Sequence, residues 1–171
     1  SFADKYILNA TLRRDGSSKF GENNRFGYFP AAAIGWRLSQ EEFMKSITWL
    51  TDLKLRASYG IIGNQSGLSA ENQFSTFTSD ISQSYQINGI SGIGMSATTD
   101  RLGNPDARWE KSITTNLGFD ASLFSGRLML NLDYFIRETE DLLVVNQAPH
   151  TGPSSTQPSV NVGNVRNTGI D

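Results

Sequence analysis

Few residues in this 171-residue sequence have the types and spacing to do chemistry. Glu138, Glu140 and Asp141 form an acidic cluster. Carboxylates set in a pair, roughly 5 to 9.5 Å apart, can serve as acid and base on a glycosidic bond. Nothing near these three in sequence completes such a site, so a solvated rim is their expected role. They also lack the ligand spacing of a calcium loop. Gly92-Ile93-Gly94-Met95-Ser96-Ala97 matches the turn that seats a pyrophosphate on a helix N-terminus. That chemistry needs a helix to follow, and TTDRLGNP has no helical pattern, so a glycine-rich loop is expected. His150, the sole histidine, sits in a proline-bearing loop without an acid or nucleophile beside it. Asn9-Ala10-Thr11 and Asn64-Gln65-Ser66 are glycosylation sequons by pattern alone. Lys54 and Arg56 share a strand face with Ser58 and Gly60, which fits a polar lumen lining or a solvated sheet face. No catalytic residue, metal ligand or cofactor-binding residue is expected, the chain is read as non-enzymatic, and no substrate-contacting residue is assigned.

Composition narrows the classes further. Net charge is −2, so no basic field points to nucleic acid. Cysteine is absent, which removes disulfide scaffolds, thiol nucleophiles and thiolate zinc sites. No window approaches the ~18 consecutive apolar residues of a membrane helix. The mean hydropathy of −0.35 resembles that of a soluble protein. A membrane barrel has the same signature, because only alternate residues meet lipid.

The elements that carry these residues are legible as alternation. Leu128, Leu130, Leu132, Tyr134 and Ile136 fall on every second position, the period of a strand with one apolar face. Upstream, Ile113, Thr115, Leu117, Phe119, Ala121 and Leu123 alternate with small or polar Ser112, Thr114, Asn116, Gly118, Asp120 and Ser122. Ser125-Gly126 is read as a two-residue turn between the arms. Each arm could run about 15 residues, against the ~3 to 10 usual in globular proteins. A membrane-crossing strand needs about 9 to 11 residues. Long, even arms therefore predict a barrel wall.

Earlier in the chain, strands are predicted over Lys5 to Arg14, Tyr28 to Leu38 and Leu53 to Tyr59, with Pro30 near a strand start or a bulge. Asp15 to Asn24 reads as a loop. Ser39 and Glu42 read as a capping box, with Leu38 and Phe43 as its hydrophobic staple. Residues 61 to 106 read as a long, functional connection with short unplaced strands, and Val145 to Val160 as a shorter loop. The expected fold is all-β: an antiparallel meander of five to six long strands, part of a transmembrane barrel with long extracellular loops and short periplasmic turns. Tyr6, Tyr28, Trp36, Tyr59, Trp109 and Phe124 lie near strand ends, as interfacial girdles or core packing would place them. Five strands cannot close a membrane barrel, so the chain is expected to be incomplete at both ends. The alternative is a soluble β-sandwich that binds glycans, which would bury the apolar row under a second sheet.

Four blocks resemble one family: Leu12 to Lys45, Leu50 to Gly67, Asn104 to Leu143, and Asn161 to Asp171. In order and content they are similar to the SusC/RagA-type TonB-linked outer-membrane receptors of Bacteroidota. The resemblance implies that residues 1–171 are a C-terminal part of a large barrel in the bacterial outer membrane. It implies import of glycans or peptides under a SusD-like surface lipoprotein, with energy from TonB through a plug domain that lies outside this sequence. Contact with outer-membrane lipid, and none with nucleic acid, goes with that reading.

Overall fold

The computed structural model describes residues 2–80, 96–145 and 157–171. Six strands form one antiparallel sheet: β1 (Tyr6–Gly16), β2 (Phe26–Arg37), β3 (Leu50–Asn64), β6 (Glu110–Leu123), β7 (Leu128–Glu140) and β10 (Val165–Ile170). They follow one another in the order β1-β2-β3-β6-β7-β10. Two short pairs stand outside this sheet, β4 (Thr76–Asp80) with β5 (Ser96–Arg101), and β8 (Leu143–Val145) with β9 (Ser159–Asn161). This is the expected all-β meander, with the long arms at 14 and 13 residues.

The register shows why the sheet has two unlike faces. Residues directly opposite each other share a face. Leu8, Ile34, Ala57, Leu117, Tyr134 and Ile170 are successive partners across all six strands. One row inward toward the short turns run Tyr6, Trp36, Leu55, Phe119 and Leu132. These side chains are not covered: Leu128, Leu130 and Leu132 remain 43%, 45% and 46% exposed. A sandwich would bury them. The largest buried group lies elsewhere, at the long-loop end of the sheet.

There Phe20, Phe29, Leu68, Ala107, Trp109 and Leu143 form one core, with Ile61 against it. Phe20 stacks on Trp109 at 4.8 Å and Phe29 meets the same indole edge-on at 5.5 Å. The core draws on the connections after β1 and β3, the approach to β6, and β8. The described parts of the long loops that hold these residues are thus packed into one body. Buried Asn72 fastens it. Its amide donates to the Ser159 carbonyl at 3.3 Å and its carbonyl accepts from the Ser159 N–H at 2.8 Å, while Asn104 Nδ2 donates to the same Ser159 carbonyl at 3.0 Å. Asn72→Ala would leave the buried Ser159 N–H without this acceptor while Asn104 still holds the Ser159 carbonyl, at about 1–3 kcal/mol. The expected readout in the full-length receptor is faster amide exchange at Ser159 and earlier proteolysis near residue 72, with exchange in β6 and β7 unchanged.

Several expectations need correction. The β6–β7 connection is Phe124 to Arg127, not a two-residue turn, because Leu123 pairs with Leu128. Phe124, Ser125 and Gly126 all have positive φ, at 52°, 56° and 84°. Ser39 forms no capping box. Its hydroxyl donates to Asp52 across the connection, and Leu38–Gln40 and Glu42–Met44 are single 3-10 turns without side-chain caps. The β2–β3 connection, residues 38–49, is also longer than the one after β1, so loop length alone does not separate the two ends of the sheet. Trp109, for which the sequence leaves a girdle and a core-packing role both open, is only 7% exposed in the loop core. β3 extends to Asn64 because Ile61 to Asn64 still pair with β6 after β2 has parted from β3. Pro30 lies mid-strand, opposite Leu12, in the stretch of β2 that has no β3 partner, where a missing N–H interrupts nothing on that side.

Candidate functional site

The face opposite the apolar rows carries the charge. Gly35, Arg56, Gly118 and Asp133 are successive register partners, and Asp133 exchanges backbone hydrogen bonds with Asp171 at 2.9 Å each way. Arg56 Nη2 donates to Asp120 Oδ1 and to Asp133 Oδ2, both at 2.9 Å. One cation thus ties β3 to its ladder neighbour β6 and also to β7, with which β3 shares no ladder. The three side chains are about one-third exposed, so water screens them and each link is worth about 1 kcal/mol or less. Gly118 permits this packing: a Cβ there would run into the Asp133 carboxylate.

Above this triad the face opens into a depression of about 460 Å³, lined by Arg56, Asn116, Asp133, Phe135, Arg137 and Asp171. Phe135 lies over Gly169, where an added Cβ would stand 2.7 Å from its ring. Arg137 forms no ion pair among the described residues. Arg56 Nε and Asn116 Oδ1 are buried with no partner among the described residues. The depression offers both charge signs, an amide and one aromatic ring. Such a mixed polar wall suits reversible contact with a hydrophilic solute or a protein segment.

The candidates of the sequence fall apart in space. Glu138 lies on the apolar face at its charged margin, held by Arg166 Nε at 3.3 Å. Asp141 follows the end of β7, where its N–H donates to Asn164 at 3.3 Å. The cluster is a rim and brings no carboxylate pair over a cleft. No group of three or more His, Asp or Glu side chains among the described residues is placed to hold a metal ion. Gly92 to Met95 and His150 lie outside the described residues, but Ser96 and Ala97 open β5, a strand where a dinucleotide site needs a helix. Asn64 caps its own turn through Ser66 and bonds Glu110, and Asn9 is on the polar face of β1. Lys54 and Arg56 do share that polar face. Sequence reasoning missed Asp120 and Asp133 as Arg56's partners. Their signal was available, since each is an acidic residue on its strand's polar row.

At the opposite end of the sheet the apolar face closes on Tyr6 and Trp36, stacked at 6.4 Å. Both donate to Glu41 Oε1, at 2.9 and 3.1 Å, and Lys5 donates to Oε2 at 3.0 Å. The Lys5 hydrogen bond, then those of Trp36 and Tyr6, hold the Glu41 carboxyl below its ordinary value of 4.5. A lowered folded-state value contributes stability that is present above that ordinary value and lost as pH falls through the lowered one. Acidification below about pH 4.5 is therefore expected to release Trp36 from Glu41, read as a change in Trp36 emission with other tryptophans replaced. Glu41→Gln should abolish that transition; an identical acid transition in Glu41→Gln would refute the link.

A sheet with one uncovered apolar face, a charged opposite face and aromatic residues at the margin is the wall of a membrane β-barrel. Leu128 to Ile136 spans the ~9–11 residues that cross the hydrocarbon layer. The family model for the TonB dependent receptor-like β-barrel matches residues 1–171, and the chain belongs to that family. Its place is therefore the outer membrane.

Among its relatives, a TonB-dependent receptor of Formosa agariphila is 39% identical over 171 residues, 98% of this chain and 15% of the relative. The TonB-dependent receptor SusC of Bacteroides thetaiotaomicron is 32% identical over 171 residues, covering 100% of this chain and 17% of SusC. The RagAB peptide importer in its closed-closed state superposes with a TM-score of 0.81 at 30% identity, over 100% of this chain and 18% of that one. The chain thus spans about one-sixth of the length of the relatives it matches.

Proposed function

We propose that this chain supplies six adjacent staves of a SusC-like, TonB-dependent barrel that takes up bulky nutrients, glycans or peptides, by binding and gated passage without covalent chemistry. The observation that carries this is the register itself, which sets an uncovered apolar row across all six strands and the Arg56, Asp120, Asp133 charges behind it. Lipid tolerates the first face and excludes the second, so the charged face lines the lumen. An unpaired sheet edge in hydrocarbon costs several kcal/mol per backbone group. In the whole receptor, β1 and β10 therefore pair with further staves. A plug domain inside the barrel would receive TonB, and a SusD-like surface lipoprotein would close over the long-loop end. The peptide importer RagAB and the receptor SusC support this class of work.

The test is genetic. Deleting the gene for the full-length receptor should abolish growth on one glycan or peptide mixture while leaving growth on the component monomers intact. Restoration by the wild type, but not by a receptor whose TonB contact is deleted, is the expected result. Undiminished growth of the deletion strain on every polymer the organism uses would overturn the proposal.

A further inference from the structure

Both margins of the apolar face carry charge, some of it paired, as Glu138 is with Arg166 at the long-loop end. At the short-turn end Lys5 is bonded to Glu41 and Lys45 to Glu42, each at 3.0 Å. At the long-loop end, Arg14, Arg108 and Lys111 are exposed and form no ion pair among the described residues. Arg14 and Lys111 belong to the lipid side of the sheet by register. Arg14 pairs with Tyr28, two positions beyond Leu12 and Pro30, and Lys111 pairs with Gly63, two positions beyond Ile113. Glu140 stands opposite Lys111 in β7, yet the two form no ion pair.

Arg108 and Lys111 line a cleft of about 320 Å³ whose other lining residues include Phe26, Tyr28, Trp109 and Asp141. The Arg14 guanidinium lies 4.0 Å from the Phe26 ring centroid and 5.7 Å from that of Tyr28, so it is laid flat on the aromatic wall of the cleft. Trp109 is 7% exposed, and its indole N–H has no acceptor among the described residues. Asp141 lines the cleft and Glu140 stands opposite Lys111 without an ion pair, so the cations outnumber the carboxylates at the level where the apolar face ends. Cations left on the lipid side of a barrel are costly in hydrocarbon and favourable beside anionic headgroups. Guanidinium and ammonium groups on an aromatic bed are suited to phosphate oxygens.

We propose that this cleft binds the phosphate-bearing headgroup of an outer-leaflet lipid, whose acyl chains run down the adjoining apolar face past Leu12 and Pro30. The proposal rests on the membrane-wall reading above, which makes the long-loop margin the outer headgroup level. A lumen solute is the wrong occupant, because Arg14 and Lys111 stand on the face opposite Arg56.

The experiment uses the full-length receptor in a neutral detergent, with dihexanoyl phosphatidic acid as the probe. Wild type should bind it, and the Arg14→Ala, Lys111→Ala double variant should bind at least about tenfold more weakly. Arg14→Gln alone should weaken binding by a smaller factor, which covers the case in which the double variant does not fold. Arg127→Ala, in the β6–β7 turn, should change nothing. Equal binding by wild type and the Arg14 and Lys111 variants overturns the proposal. So does equally tight binding of dihexanoyl phosphatidylcholine, and so does equally tight binding of inorganic phosphate, which would mark a free-anion site. Heat-modifiable migration of the wild type is checked first. A receptor that lacks it overturns the membrane-wall reading and the cleft together, whereas a heat-modifiable receptor with unaltered variants overturns the cleft alone.

Discussion

Leu132→Arg in the full-length receptor is expected to cost about 2–4 kcal/mol, and Asn131→Arg much less. The two positions are neighbours, so they share depth, backbone geometry and strand propensity and differ only in the face they occupy. Leu132 pairs with Phe119 on the apolar face and is 46% exposed there, with no protein group to receive a charge. It stands midway between Leu128 at the turn and Ile136, beyond which Glu138 and Arg166 mark the charged margin. That puts it near the bilayer midplane, where a guanidinium must draw water and headgroups inward. Asn131 pairs with Asp120 on the polar face, so an arginine there meets an acidic neighbour. A urea titration of the receptor refolded into bilayers reads both costs. Equal costs would remove the assignment of faces on which the barrel reading and the lumen charges depend.

That face assignment was legible because alternation is a local property. Leu128 to Ile136 reveals it without reference to any other strand, and the pleat converts sequence parity directly into side. The same logic made Lys54 and Arg56 readable as one face. It stops where contacts join distant segments. Arg56 meets Asp120 and Asp133 at sequence separations of 64 and 77, and Asn72 meets Ser159 at 87. Nothing in the spacing of either pair announces the other. Strand ends were illegible for a related reason. Pairing with β6 carries β3 through Gly60, Ile61, Ile62 and Gly63, where the apolar–polar alternation has already broken down. Ser39 shows a local rule losing to a tertiary one: the capping box was present in sequence, but Asp52 took the hydroxyl.

Trp109 is the strand-end aromatic that took the core-packing role instead of a girdle one, and it leads to the second large effect. Phe20→Ala is expected to remove about 3–5 kcal/mol from the loop body. Phe20 is fully buried and stacks on Trp109, which Phe29 also contacts. The ring therefore joins the connection after β1 to a strand residue of β2 and to the approach to β6. Its truncation leaves a cavity that these segments cannot close without pulling β2 away from its register with β1. Phe29 and Ile61 tie β2 and β3 to this core, but the β3 ladder from Leu50 to Asn64 is also held along its length by β6. The loss is therefore expressed as local opening, and its observable size is capped by the free energy at which the loop body opens by itself. The expected result in intact cells is rapid surface proteolysis between residues 65 and 75 with normal outer-membrane levels and unchanged heat-modifiable migration. Loss of the barrel together with the loops would show that the loop core and the wall fold as one unit, contrary to the expected local opening.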